Sequence, residues 1–224
     1  MFKAKKTNPK IEQIVSYIKK ESRSRNCTVK LTTSYDKTLQ DISDGEFSEM
    51  EMRITCYRNN KDPKNYWLGV LVHEYCHLIQ SSENQHVWSN FQKIAEVYEK
   101  ELDELFLNKK NSKLNKNNRI KLSQAIIKLE LDCERKAIKL LKKLNAPIDY
   151  NYYIACANIV LYKYLYWAET GKWIILNKDK ADFPEILDLL KKDGFNKLKT
   201  VKDYCSIKLI PKNLLDVFRA NSFY

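Results

Sequence analysis

The ten residues Val70-Leu71-Val72-His73-Glu74-Tyr75-Cys76-His77-Leu78-Ile79 constrain this chain more than any other stretch. Apolar residues on every side predict a buried helix, yet the run carries two imidazoles and a carboxylate. Residues four apart on a helix lie about 40° apart around its axis, so His73 and His77 project from one face. Glu74 is rotated by about 100° from His73. Imidazoles in an apolar helix need a partner, and a shared ion supplies one: neutral ring nitrogens ligate zinc at about 2.0–2.1 Å. A glutamate beside such an ion can take a proton from water that the ion acidifies. The chain has only three histidines, so a chance His-Glu-x-x-His is on the order of one in several hundred. The segment reads as a metal site, with His73 and His77 as ligands and Glu74 as general base.

Zinc needs a third protein ligand and leaves its fourth position to water. Three candidates compete. Glu83 lies where metzincins place their third ligand, but Gln80 replaces the glycine that turns their chain back. His86 is too far for that turn and too near for a ligand on a separate helix. The third candidate is Leu129-Glu130-Leu131-Asp132-Cys133-Glu134, inside a strong helical pattern.

That segment resembles the second zinc segment of the gluzincins, the zincin-like metallopeptidases that include thermolysin. Many intracellular members read ExEAD followed by a small apolar residue; here the run is Glu130-Leu131-Asp132-Cys133-Glu134, with cysteine for alanine and glutamate for aspartate. The resemblance implies Glu130 as ligand and Glu134 as the outer partner of His73 or His77, and the length of Glu134 leaves an exchange of roles open. It covers about 75 residues, from the strand before the first motif through Ala137. Asn151-Tyr152-Tyr153 and Ala157 to Tyr162 are loosely similar to uncharacterised zincin-like proteins of phages. The activity implied is that of a zinc metallopeptidase holding one zinc per chain and cutting a peptide or protein substrate. Its oxyanion stabiliser would be Tyr152 or Tyr153, and the strand near Met50 to Tyr57 would pair with extended substrate. Peptide deformylase shares HExxH, but its cysteine ligand sits in a glycine-bearing segment that Cys27 and Cys56 lack.

The pattern along the chain predicts an α+β fold with a mostly helical C-terminal half; the resemblance implies a zincin-like one, with a small N-terminal antiparallel or mixed sheet packed on the motif helix. One domain, 1–224, is expected, with the sheet and active-site helix in 1–82 and the helical part in 83–224. Asn8-Pro9 starts a helix to about Glu21, and Cys27 to Thr33 reads as a strand. Met50, Met52, Ile54 and Cys56 alternate with polar residues as a second strand. Asp62-Pro63 signals the start of the motif helix. Helices are predicted over 87–106, 119–144 and 150–168, with a polar connector at 107–118. Two short helices, 184–190 and 211–218, complete the tail.

Forty Lys and Arg against 28 Asp and Glu give a net charge of +12. The densest basic run, Lys109 to Lys121, reads as a solvated surface, with a polyanion-binding patch as the alternative. SprT-like proteases join zinc chemistry to nucleic-acid binding, although their third histidine lies farther downstream than His86. The rival reading is therefore a nucleic-acid-associated or regulatory zincin-fold protein in which binding outweighs hydrolysis. Met1 to Lys6 has no apolar segment after its basic residues, so a cytoplasmic protein (host cytoplasm if viral) with six reduced cysteines is expected. The most membrane-like stretch, Tyr152 to Ala168, carries Asn158 and Lys163 and suits a buried helix, so no membrane partner is expected.

Overall fold

In the computed structural model of the chain, residues 8–33, 45–59, 64–100, 102, 114–174 and 197–221 are described. Asn8 opens α1 (Pro9–Arg23) by accepting from the Lys10 amide, with proline where its missing N–H costs nothing. Ile11, Ile14, Val15 and Ile18 bury its inner stripe. Three strands follow: β1 (Thr28–Thr32), β2 (Gly45–Ser48) and β3 (Arg53–Tyr57). The order is β1-β3-β2, with β1 parallel and β2 antiparallel to β3, so the sheet is mixed.

The predicted strand at Met50 to Cys56 is corrected here. Its first residues form the turn between β2 and β3: Met50 is 98% exposed, and Met52 has φ 45°. The alternation that suggested a longer strand holds only from Arg53 onward. The strand β2 was not foreseen, and it, rather than the Met50–Tyr57 segment, forms an outer strand; β3 is flanked on both sides and has no edge to offer an extended peptide.

The motif helix is α2 (Tyr66–Ser82), buried on nearly all sides as its apolar run requires. It begins at Asn65, whose left-handed φ of 52° asparagine tolerates and whose amide donates to Pro147 O at 2.7 Å. Asp62 and Pro63, the predicted start, lie outside the described residues. Next come α3 (His86–Ala95) and a 3-10 turn at Glu96–Tyr98, where an uninterrupted helix to 106 was expected. The long helix is α4 (Lys116–Lys143), capped by the Asn115 side chain. It ends where Asn145, at φ 50°, lets the Ala146 amide return to Leu141 O. Asp149 caps α5 (Tyr150–Thr170), and Gly171 at φ 75° closes it. The tail carries α6 (Lys212–Ala220), whereas the helix expected at 184–190 lies outside the described residues.

The fold is thus α+β and mostly helical among the described residues, and α4 serves two cores. Leu122, Ile126, Ile127 and Leu131 join α5 and α6 in one. Cys133, Ala137 and Leu141 join α1, the sheet and α2 in the other. Small residues at Cys133 and Ala137, both fully buried, let α4 lie close against α2. That crossing brings the two sequence motifs together. No helix among the described residues is long and apolar enough to cross a membrane.

Candidate metal centre

The crossing of α2 and α4 places His73 Nε2 and His77 Nε2 3.0 Å apart. Glu130 Oε2 lies 3.2 Å from the first and 3.4 Å from the second. Three donors on a tetrahedral zinc at 2.0–2.1 Å stand about 3.3 Å from one another, so this triangle has the dimensions of a zinc site's protein face. The side chains are 14%, 10% and 19% exposed, so none of the three is wholly sealed from solvent.

Outer hydrogen bonds fix which ring nitrogens point inward. Gln80, fully buried, donates its amide to Asp132 Oδ2 at 2.7 Å and Leu129 O at 3.2 Å. Its Oε1 is thereby turned to His77 Nδ1 at 2.8 Å, and that nitrogen must be the donor. On His73, Nδ1 faces Glu134 Oε1 at 3.2 Å and donates to the carboxylate. Both Nε2 atoms are left with their lone pairs directed at each other and at the Glu130 carboxylate. Three converging lone pairs repel unless a cation lies among them. Protons are the substitute available to the protein alone. Burial opposes charge on His73, but Glu134, Glu130 and Glu74 outweigh it and raise its pKa well above the usual 6.5. Burial acts against the Glu130 charge too, and the two imidazoles still hold its carboxyl well below the carboxylate range.

Cys133 is a second potential third donor, since it groups with His73 and His77 with all donor atoms within 4.8 Å of one another. The geometry favours Glu130. Cys133 Sγ lies 3.6 Å from His73 Nδ1, on the outer side of the ring, and donates to His73 O at 3.2 Å. Burial, with Cys76 beside it, pushes the thiol well above its usual range in the metal-free chain.

Glu74 is buried on the adjoining face of α2, against the start of β2. Burial raises its carboxyl above the normal value, and His73 and His77 partly offset this. Glu83 and His86, the other third-ligand candidates, are exposed: Glu83 caps α2 and faces Arg25 at 3.9 Å, and His86 starts α3. Tyr152 and Tyr153 both pack against Tyr66, at the start of α2. Tyr153 is 2% exposed and packs on α2 at Gly69, where an added Cβ would meet its ring at 2.5 Å. Burial first, then the Glu134 charge, raises its phenol far above normal. Tyr152 packs edge-on against Tyr66 with Lys64 Nζ 3.9 Å over its ring. With its ring buried against Gly69, Tyr153 has the surroundings of a packing residue.

Sequence reasoning missed Gln80, Gly45 and the aromatic flank of the site. Trp88 lies 6.0 Å from His77 and 5.9 Å from Phe47, ring to ring. The only signal for Gln80 was its position one helical turn beyond His77; it reads as a missing glycine until its amide is seen between two helices. The basic run is partly used up in the fold. Lys116 pairs with Glu169 at 2.6 Å, and Arg119 donates to Ala168 O and Leu114 O. Lys109, Lys110 and Lys113 lie outside the described residues. Comparison with protein-family models, curated proteins and solved structures found no match to this chain.

Proposed function

We propose that this chain is a zinc-dependent hydrolase, zincin-like and of the gluzincin type, with His73, His77 and Glu130 as metal ligands. Within that class we infer a metallopeptidase. The observation that carries the reading is the triangle of two Nε2 lone pairs and a carboxylate oxygen at 3.0, 3.2 and 3.4 Å. Zinc held there would polarise a scissile carbonyl and acidify a water molecule. Glu134 and Gln80 hold the two rings in the ligating tautomer from behind. Glu74 receives the proton of the attacking water and delivers it to the leaving nitrogen; burial makes its carboxylate a stronger base than an exposed one. An extended substrate has an outer strand to join in β2, which no other described strand pairs on its outer side. Of the described residues of the basic run, Arg119 is bonded into the fold, Lys116 pairs with Glu169 while 57% exposed, and Lys121 is exposed, a solvated surface with no feature that selects a polyanion.

The test is Glu74→Gln. The zinc-loaded variant should keep its metal and its fold while losing cleavage of an unfolded protein substrate, because an amide keeps the shape but accepts no proton. Cleavage at the wild-type rate would sink the assignment of Glu74 and point to a contaminant.

A further inference from the structure

The start of β2 touches the proposed general base directly. Gly45 is buried, and a Cβ there would lie 2.6 Å from Val70 Cγ1, 3.0 Å from Glu74 Cγ and 3.3 Å from Glu74 Oε1. Among the described residues only Gly171 is a glycine in the left-handed region, so the Gly45 backbone suits any residue. Space, not conformation, makes glycine necessary here.

Neither side of this contact can retreat freely. At one end β2 is held by its register with β3, where Gly45 faces Cys56, a fully buried residue. Beyond its other end, Glu49 is clamped to α2 and α3. Its Oε1 accepts from Ser81 Oγ at 2.5 Å and Trp88 Nε1 at 3.3 Å, and its Oε2 from Gln92 Nε2 at 2.8 Å. The backbone of α2 opposite is buried between the sheet and α4. The movable group in the contact is the Glu74 side chain.

We infer that Gly45, with β2 anchored through Glu49, is a positioning residue: the strand backbone is the wall that fixes where the Glu74 carboxylate stands. This rests on the hydrolase reading for its kinetic consequence, but not for its geometric one. Any side chain at 45 displaces Glu74 by tenths of an ångström or more, while the atoms nearest such a side chain belong to Val70 and Glu74 and not to His73, His77 or Glu130. A displacement of about 1 Å at a reacting group costs about 100-fold in rate.

Zinc-loaded Gly45→Ala, Val70→Ala and the double variant test this by zinc content, melting midpoint, crystal structure, and kcat and KM on a quenched-fluorescent peptide that the wild type cleaves. Val70→Ala removes the nearest clash and leaves Glu74's, so the double variant stays informative even if Gly45→Ala alone fails to fold. The expected result for the double variant is one zinc per chain, a KM within about twofold of Val70→Ala, and kcat lower by about 10–100-fold. Its crystal structure should show Glu74 displaced. If Val70→Ala restores kcat together with the midpoint, or if Glu74 stands unmoved, Gly45 is only a packing residue and the inference is overturned. A wild type that cleaves no peptide defeats the hydrolase reading instead, and the position of Glu74 in the double variant still decides the role of Gly45.

Discussion

Replacing Gln80 with leucine should loosen zinc without touching a ligand. The amide is fully buried, with its oxygen 2.8 Å from His77 Nδ1 and its nitrogen on Asp132 Oδ2 and Leu129 O. Leu129 O keeps its helical partner and Asp132 keeps Lys136, so His77 bears most of the loss. A buried imidazole N–H without an acceptor costs about 1–3 kcal/mol, and the ring is freed to take the tautomer that places its proton on Nε2. Both effects oppose ligation. Zinc affinity should fall about 10–100-fold, equivalent to about 1.4–2.7 kcal/mol. Competition against a chromophoric chelator measures it. Gln80→Glu is the informative control: its carboxylate still accepts from Nδ1, so affinity should recover, while repulsion from Asp132 should lower the melting midpoint. Wild-type affinity in Gln80→Leu, or equal losses in the two variants, would refute the argument that this amide sets the His77 tautomer.

The third ligand can be decided by comparing two variants: Glu130→Ala should lose stoichiometric zinc, whereas Cys133→Ala should retain it, as elemental analysis will show. Glu134→Ala should cost about 10–100-fold in zinc affinity, and Glu83→Ala and His86→Ala, both at exposed positions, should leave it unchanged. In the metal-free protein the raised His73 pKa contributes stability that is complete below about pH 6.5 and lost as pH rises through its folded value. The lowered Glu130 pKa contributes stability present above about pH 4.5 and lost as pH falls further. Melting midpoints with chelator should therefore peak between those limits. With zinc the alkaline decline should disappear, because ligation requires neutral imidazole. A metal-free midpoint that climbs steadily above pH 6.5 would contradict this.

What the sequence made legible was whatever depends on spacing within one helix. His73, Glu74 and His77 fall on adjoining faces of α2 by helical geometry alone, and Glu130 and Glu134 do the same on α4. The α+β order and the first helix start at Asn8-Pro9 were also legible, whereas the cap at Asn115 starts α4 at Lys116, three residues before the expected 119. Contacts between elements were not legible. Gln80 has no meaning until α4 brings Leu129 O and Asp132 to its amide. The four-residue β2 is too short for a periodic signal, and Gly45 matters only because α2 passes against it. Met50 misled because alternation ran on through a turn whose reversal depends on Met52 at positive φ. Tyr153 was chosen by residue type, and its burial against Gly69 comes from helix packing that no local pattern reports.

The central claim is that His73, His77 and Glu130 converge on one zinc ion. Crystals of zinc-loaded protein, with diffraction recorded on both sides of the zinc absorption edge, test it most directly. The account predicts one anomalous peak per chain at about 2.0–2.2 Å from His73 Nε2, His77 Nε2 and Glu130 Oε2. A peak bonded to Cys133 Sγ instead of Glu130, or a folded protein that shows none with zinc in excess, would contradict it.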